Sequence, residues 1–487
     1  MPITASFMVP HPPMIVPAVG NGGEKQIEAT ARAYRKVAED VAKLAPDTII
    51  ISSPHSVMYS DYFHISPGKE ATGSFVQFRA PQVRFREQYD TELVREICLL
   101  ADARQFPAGT LGERDRYLDH GTMVPLYFIR QKYDDFRIIR IGLSGLALTK
   151  HYELGQIIKE AAERTGRRAV YIASGDLSHK LQDYGPYGFA PEGPQYDERI
   201  MQVMGTASFG ELLEFDETFC EKASECGHRS FVIMAGIWDG IPVEAHALSH
   251  EDVTGVGYGI CEFFPKEVER TEAAAVDGAE PGERLDESRC FLKQYLERQQ
   301  AACEIRRQKE DAYVALARKS LETYILTREE ISISDALREL SMPEDQQEDF
   351  LKHRAGVFVS IHEHGRLRGC IGTIQPVTES IAREIIRNAI SASTQDPRFD
   401  PIEPEELPWL EIHVDVLGKP EKIDSVEELD VKRYGVIVTR GRKRGLLLPD
   451  LEGVDTVEQQ VSIAKRKAGI SPRETAALER FEVIRHT

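Results

Sequence analysis

The chain of 487 residues has no C-x-x-C pair among its seven cysteines, at positions 98, 220, 226, 261, 290, 303 and 370. Neither a zinc ribbon nor a thioredoxin-like redox motif is therefore supported. The odd cysteine count, with no signal-peptide pattern over residues 1–20, points to a reducing cytoplasm. No apolar run approaches the ~20 residues that a membrane span needs. There is no Walker A loop, no G-x-G-x-x-G after a strand and no G-x-S-x-G elbow; Gly142-Leu143-Ser144-Gly145 has the wrong spacing. Excess positive charge is missing too: the formal net charge is −19. That balance argues against nucleic acid or anionic membrane as a partner for the whole surface.

What is present describes a soluble globular protein, with 41% hydrophobic and 29% charged residues. The length exceeds what one hydrophobic core supports, so two or three domains are expected. Ile3–Val9 and Thr48–Ser52 read as strands. Between them, residues 24–45 carry Ile27, Ala31, Tyr34, Val37, Val41 and Leu44 at helical spacing. This β-α-β unit favours parallel pairing with a right-handed crossover. Helices near 90–101, 121–131, 152–164 and 230–238 alternate with strands at 137–141, 169–173, 243–248 and 255–263. The pattern predicts a three-layer α/β domain over residues 1–265.

Residues 266–287 are rich in Ala, Glu, Gly and Asp, which reads as a linker. One or two helices follow over 288–326, so 266–307 is taken as linker and helix and 308–487 as a second domain. There, strands at 356–362 and 410–416, a helix at 378–393 and a hairpin around Arg440–Arg444 are expected. The basic residues Arg440, Arg442, Lys443, Arg444, Lys465, Arg466 and Lys467 could track phosphates of RNA. A charged turn and a solvated helix face account for the same residues, and are commoner.

Nine of the fourteen histidines precede residue 265, and three follow strand-like runs. Ile3–Val9 leads to Pro10-His11, Thr48–Ser52 to Ser53-Pro54-His55, and Ala169–Ala173 to Ser174-Gly175-Asp176-Leu177-Ser178-His179. An open α/β sheet places its chemistry at such strand ends. A mononuclear metal site is the first hypothesis. Two imidazoles and one carboxylate on one face of an octahedral ion leave three open positions, which suits Fe(II). His11 and His55 are the imidazole candidates. Glu225-Cys226-Gly227-His228 opens an apolar helix and offers either Glu225, a hard oxygen donor, or Cys226, a soft one. Glu225 could equally be a helix-start carboxylate meeting the dipole, and Asp176 a helix cap.

Residues 1–265 resemble the class III extradiol dioxygenase superfamily (LigB-like) and its Memo-type relatives. The likeness is carried by Val9-Pro10-His11-Pro12-Pro13, Ser53-Pro54-His55, Leu118-Asp119-His120-Gly121, Ser174 to His179 and Glu225-Cys226-Gly227-His228-Arg229. It implies His11 and His55 as ligands of Fe(II), with the third ligand open between Glu225 and the cysteine position of Memo-type proteins, Cys226. His179 matches the acid–base histidine, and His120 a second histidine facing the open coordination positions. The implied activity is oxidative ring cleavage of a catechol-type substrate by dioxygen. The implied alternative is a Memo-like iron-binding adaptor without ring cleavage.

Residues 308–487 resemble the AMMECR family, an α+β domain, through Gly365 to Thr373, Asp396 to Pro401 and Arg444 to Pro449. The fusion resembles the AmmeMemoRadiSam grouping, which implies a radical-SAM protein as partner. Arg366 and Arg368 lie beside Cys370, and cations near a thiol raise its reactivity; a small packing residue is the alternative. No cysteine precedes Lys467-Ala468-Gly469, where family members commonly carry one, so a two-cysteine mechanism is not expected. A homodimer is expected from base rates.

Overall fold

The structure, a computed structural model, describes residues 2–266, 286–340, 344–363, 365–451 and 453–487. The expected linker therefore lies almost wholly outside the described residues. The chain divides into two compact units, Met1–Tyr295 and Leu296–Thr487.

The first unit is built on a six-stranded sheet of β1 (Ile3–Val9), β2 (Thr48–Ser53), β3 (Arg137–Gly142), β4 (Ala169–Ser174), β5 (Val243–Glu251) and β6 (Tyr258–Pro265), in the order β3-β2-β4-β1-β6-β5. The first four strands in that order are parallel, whereas β6 and β5 add an antiparallel edge. β2 and β4 are buried at every position, as parallel strands covered on both faces must be. Ala5, Phe7, Ile49, Ile51, Val170 and Ile172 form one core with the helices α1 (Glu28–Leu44) and α3 (His120–Ile129). On the other face lie α2 (Thr91–Ala103), α4 (Leu148–Thr165) and α7 (His228–Ile237). Helices α5 (Glu192–Thr206) and α6 (Glu217–Ala223) precede α7. The result is a three-layer α/β fold.

Helix α1 begins later than its apolar stripe predicts, after a 3-10 turn at Gly23–Ile27. Its first free N–H groups are taken by the Glu251 carboxylate of β5, with Thr30 N donating at 2.6 Å. A distant side chain sets that start. The hairpin Glu70–Phe75 with Ala80–Gln88 was not expected from the sequence, and its turn carries Gln77 and Phe78.

The second unit is an α+β fold. Its antiparallel sheet comprises β7 (Val357–Glu363), β8 (Arg366–Gly372), β9 (Leu410–Leu417), β10 (Glu421–Ile423), β11 (Tyr434–Arg440), β12 (Lys443–Leu447) and β13 (Ala477–His486). The order is β8-β7-β9-β13-β11-β12, with β10 pairing to β13. Val357, Val359, Ile361, Ile412 and Val414 alternate onto one face, where α8 (Ala312–Thr327) and α9 (Ile381–Thr394) cover them. Four of the basic residues singled out above are engaged within this unit. Arg440 pairs with Glu474 and Arg444 with Glu479, while Lys443 donates to Gly469 O and Lys465 to Glu474 O. Among the described residues, no helix is long and apolar enough to cross a membrane.

Buried Asp396 fastens β8 to the Asp396-Pro397-Arg398 turn. It accepts from Cys370 N at 2.9 Å and from Arg398 Nη2 at 2.6 Å. The Arg398 guanidinium holds this carboxyl well below the usual carboxylate range. A depressed carboxyl stabilises the fold above its unfolded pKa of about 3.9 and loses that contribution as pH falls toward its folded value. Asp396→Ala is expected to destabilise the second unit by about 2–4 kcal/mol, because Cys370 N and Arg398 lose their acceptor. It should also weaken the acid dependence of urea unfolding below about pH 4. Unchanged unfolding in the full-length variant would contradict this role.

Candidate metal centre

The parallel strands deliver the site at their C-terminal ends, as open α/β sheets do. β1 runs into Pro10-His11, β2 into Pro54-His55 and β4 into Gly175-Asp176. His11 is fully enclosed. Its backbone N–H donates to Asp176 Oδ1 at 2.7 Å, and its Nδ1 lies 2.9 Å from Ser174 Oγ. That hydroxyl spends its own proton on Gly121 O at 2.7 Å, so it accepts from His11 Nδ1–H. The chain of bonds fixes the tautomer and leaves the lone pair on Nε2.

The His11 Nε2 atom lies 3.0 Å from His55 Nε2 and 3.7 Å from Cys226 Sγ. Ligand atoms of His11, His55 and Cys226 all lie within 4.8 Å of one another. Asp176, His179 and Cys226 form a second such group. His179 Nδ1 donates to Ser224 O at 2.6 Å, which makes Nε2 its basic nitrogen. His120 packs on this cluster, with ring centroids 4.0 Å from His55 and 5.3 Å from His11.

Two loops meet here because both carry glycine. A Cβ on Gly175 would overlap the Gly227 Cα, so the turn after β4 can close on the turn before α7 only if neither has a side chain. The contact is locked by Cys226 N donating to Asp176 O, and by Asp176 N donating to Cys226 Sγ at 3.3 Å. On the opposite wall, Asp119 caps α3 through Thr122 N at 3.0 Å and accepts from Ser53 Oγ at 2.6 Å. The fully buried Arg140 lies 3.6 Å from Asp119 and holds the Asp115–Tyr117 loop by its carbonyls.

Burial, and then neighbouring His55, pull His11 well below its ordinary pKa. His120 is pushed down to about 4 by burial, then by His55 and His11. Both are neutral at pH 7. Burial pushes the Cys226 thiol well up, and raises Asp176 from the ordinary carboxyl range. The cluster thus concentrates unprotonated nitrogen lone pairs beside a thiol. Two imidazoles and a sulfur donor fit a divalent transition metal. A cavity of about 510 Å³ opens beside it, lined by His55, His120, Phe78, Tyr117, Leu118 and Asp115 among others.

Of the sequence-derived candidates, Glu225 is not brought to this cluster. Its carboxylate accepts from His228 N at 2.6 Å, the helix-start alternative, and lines a separate cleft of about 90 Å³ with Cys220 and Arg229. Burial raises its pKa to about 7, against the His228 N–H that favours the anion. Asp176 caps no helix, because residues 175–178 are not helical; it holds His11 instead. Sequence reasoning missed Ser174, Arg140 and Phe78. Ser174 alone carried a signal, standing at the end of β4 in the motif with Asp176.

A family model described as the catalytic LigB subunit of aromatic ring-opening dioxygenase matches residues 5–261. The chain belongs to the LigB family. A second family model, AMMECR1, matches residues 314–486, so the LigB domain is fused to an AMMECR1 domain. Protein CA_C1420 of Clostridium acetobutylicum is similar throughout: 40% identical over 494 residues, covering 100% of this chain and 99% of that protein. A Thermotoga maritima protein is 48% identical over 179 residues, which are 36% of this chain and 98% of its own. Among solved structures, uncharacterized protein PH0010 from Pyrococcus horikoshii is 31% identical, with a TM-score of 0.32, over 36% of this chain and 88% of that one.

Proposed function

We propose that the LigB domain is a non-haem Fe(II)-dependent, extradiol-type dioxygenase that opens the ring of a catechol-type substrate with dioxygen. The observation that carries this reading is the meeting of His11 and His55 Nε2, 3.0 Å apart, beside the 510 Å³ cavity. When bound, Fe(II) supplies a centre on which diol and dioxygen meet and through which electron density passes. His11 and His55 hold it, each on a turn stiffened by proline. His179, anchored through Nδ1, takes the second diol proton at Nε2 and returns it later. Neutral His120 keeps one N–H to donate to a developing oxyanion. Phe78, Tyr117 and Leu118 give a flat ring apolar walls.

A second reading is favoured by one specific feature, the Cys226 thiol 3.7 Å from His11 Nε2 while Glu225 faces elsewhere. With Cys226 as third donor, the same site also suits a Memo-like iron-binding protein that does not cleave rings. Anaerobic loading with one equivalent of Fe(II), followed by oxygen uptake with a catechol panel, separates the two. The first reading expects uptake in the wild type, and a fall of at least about 100-fold in His179→Gln with that first equivalent retained. Fully loaded wild-type protein that consumes no oxygen with any diol contradicts ring cleavage and leaves the second reading standing.

A further inference from the structure

We infer that the LigB domain holds two divalent cations side by side, the second on Asp176, His179 and Cys226, with the Cys226 sulfur shared between them. The inference rests on the first metal position proposed above. Donors on one ion, at about 2.0–2.3 Å from it, stand no more than about 4.6 Å apart even when opposite each other. The five donors here do not form one such set. They fall into two groups of three, and Cys226 Sγ belongs to both.

The second group is held in place by bonds that need no metal. His179 N donates to Ala223 O at 3.2 Å and His179 Nδ1 to Ser224 O at 2.6 Å, while Ser178 Oγ donates to Ala223 O at 2.8 Å. A ring N–H spent on a backbone carbonyl is the usual support of a metal-binding imidazole. Cys226 N donates to Asp176 O, closing the same pair of loops from the other side. Asp176 is 7% exposed, and its Oδ1 receives His11 N–H. Its Oδ2 accepts no hydrogen bond among the described residues and stands 3.9 Å from His11 Nε2. A carboxylate oxygen without a donor, on a mostly buried side chain beside a sulfur and an imidazole, is a place for a cation. Metal pairs at about 3.5–4 Å are a recurring catalytic arrangement. In this one the second ion engages His179, so loading it withdraws the proton carrier from the ring-opening reaction.

The test is an anaerobic Co(II) titration of the full-length apo-protein, read by metal analysis and by magnetic coupling in electron paramagnetic resonance. The wild type is expected to take two equivalents, coupled through the shared sulfur. Asp176→Asn, which keeps an acceptor for His11 N–H, and His179→Ala should each take one, uncoupled. Saturation of the wild type at one equivalent, or a second equivalent that persists in His179→Ala, overturns the second position. One equivalent that is lost in His11→Ala but untouched in His179→Ala refutes the second position alone. No binding at all refutes the first position with it.

Discussion

In Cys226→Ser, affinity for the first metal equivalent is expected to fall at least about a hundredfold, whereas Glu225→Gln should leave it within a few-fold. The scale follows from metal sites in general, where losing a supporting partner already costs about 10–100-fold and a direct donor counts for more. Cys226 Sγ stands in the group with His11 and His55, and its loop is tied to Asp176 by two backbone donors. Glu225, the next residue back, faces the start of α7 and accepts from His228 N. An uncharged amide can accept that bond as well. Competition against a chelator, with Fe(II) or Co(II), measures both affinities. The reverse pattern, a tolerant Cys226 and an intolerant Glu225, would mean that the turn before α7 rotates to present the carboxylate.

Gly175→Val is expected to cost the first unit more than about 3 kcal/mol and to remove metal binding with it. The added Cβ would fall on the Gly227 Cα, so the two turns must part. Their separation breaks the two Cys226–Asp176 bonds and moves the Cys226 sulfur away from the histidines. Gly205→Ala is the opposing control. It lies within α5, where a Cβ meets only the Ala247 Cβ at 3.8 Å, and alanine is the better helix former. That variant should be neutral or more stable by up to about 1 kcal/mol. Thermal or urea unfolding of both gives the comparison, and equal stabilities would contradict the glycine contact as the organiser of the site.

Much of the first unit is legible in the sequence because its four parallel strands are buried on both faces. Thr48–Ser52 and Ala169–Ala173 read as short apolar runs, and the strands they form lie within the sheet, not at its edges. The histidines that end these runs fall at the strand ends for the same reason. The hairpin at Glu70–Gln88 is not legible: the inward face of Ala80–Gln88 carries Val83, Phe85 and the buried Glu87, so a carboxylate interrupts the apolar alternation. Phe78 therefore enters the cavity wall from a segment with no signal of its own. Asp176 shows the other limit. Spacing cannot separate an acid that caps a helix from one that holds a neighbouring strand end, because the bond to His11 N spans 165 positions. The choice between Glu225 and Cys226 has a similar cause. Adjacent residues on a turn face different ways, and which one faces the histidines depends on how α7 and its preceding turn pack against Gly175.

A metal held by His11, His55 and Cys226 would be seen at once by X-ray absorption at the metal edge of the protein loaded with one equivalent of Zn(II). The expected shell contains one sulfur at about 2.3 Å and two imidazole nitrogens at about 2.0–2.1 Å. The sulfur contribution should vanish in Cys226→Ser and persist in Glu225→Gln. A shell of oxygen and nitrogen alone in the wild type would contradict the claim.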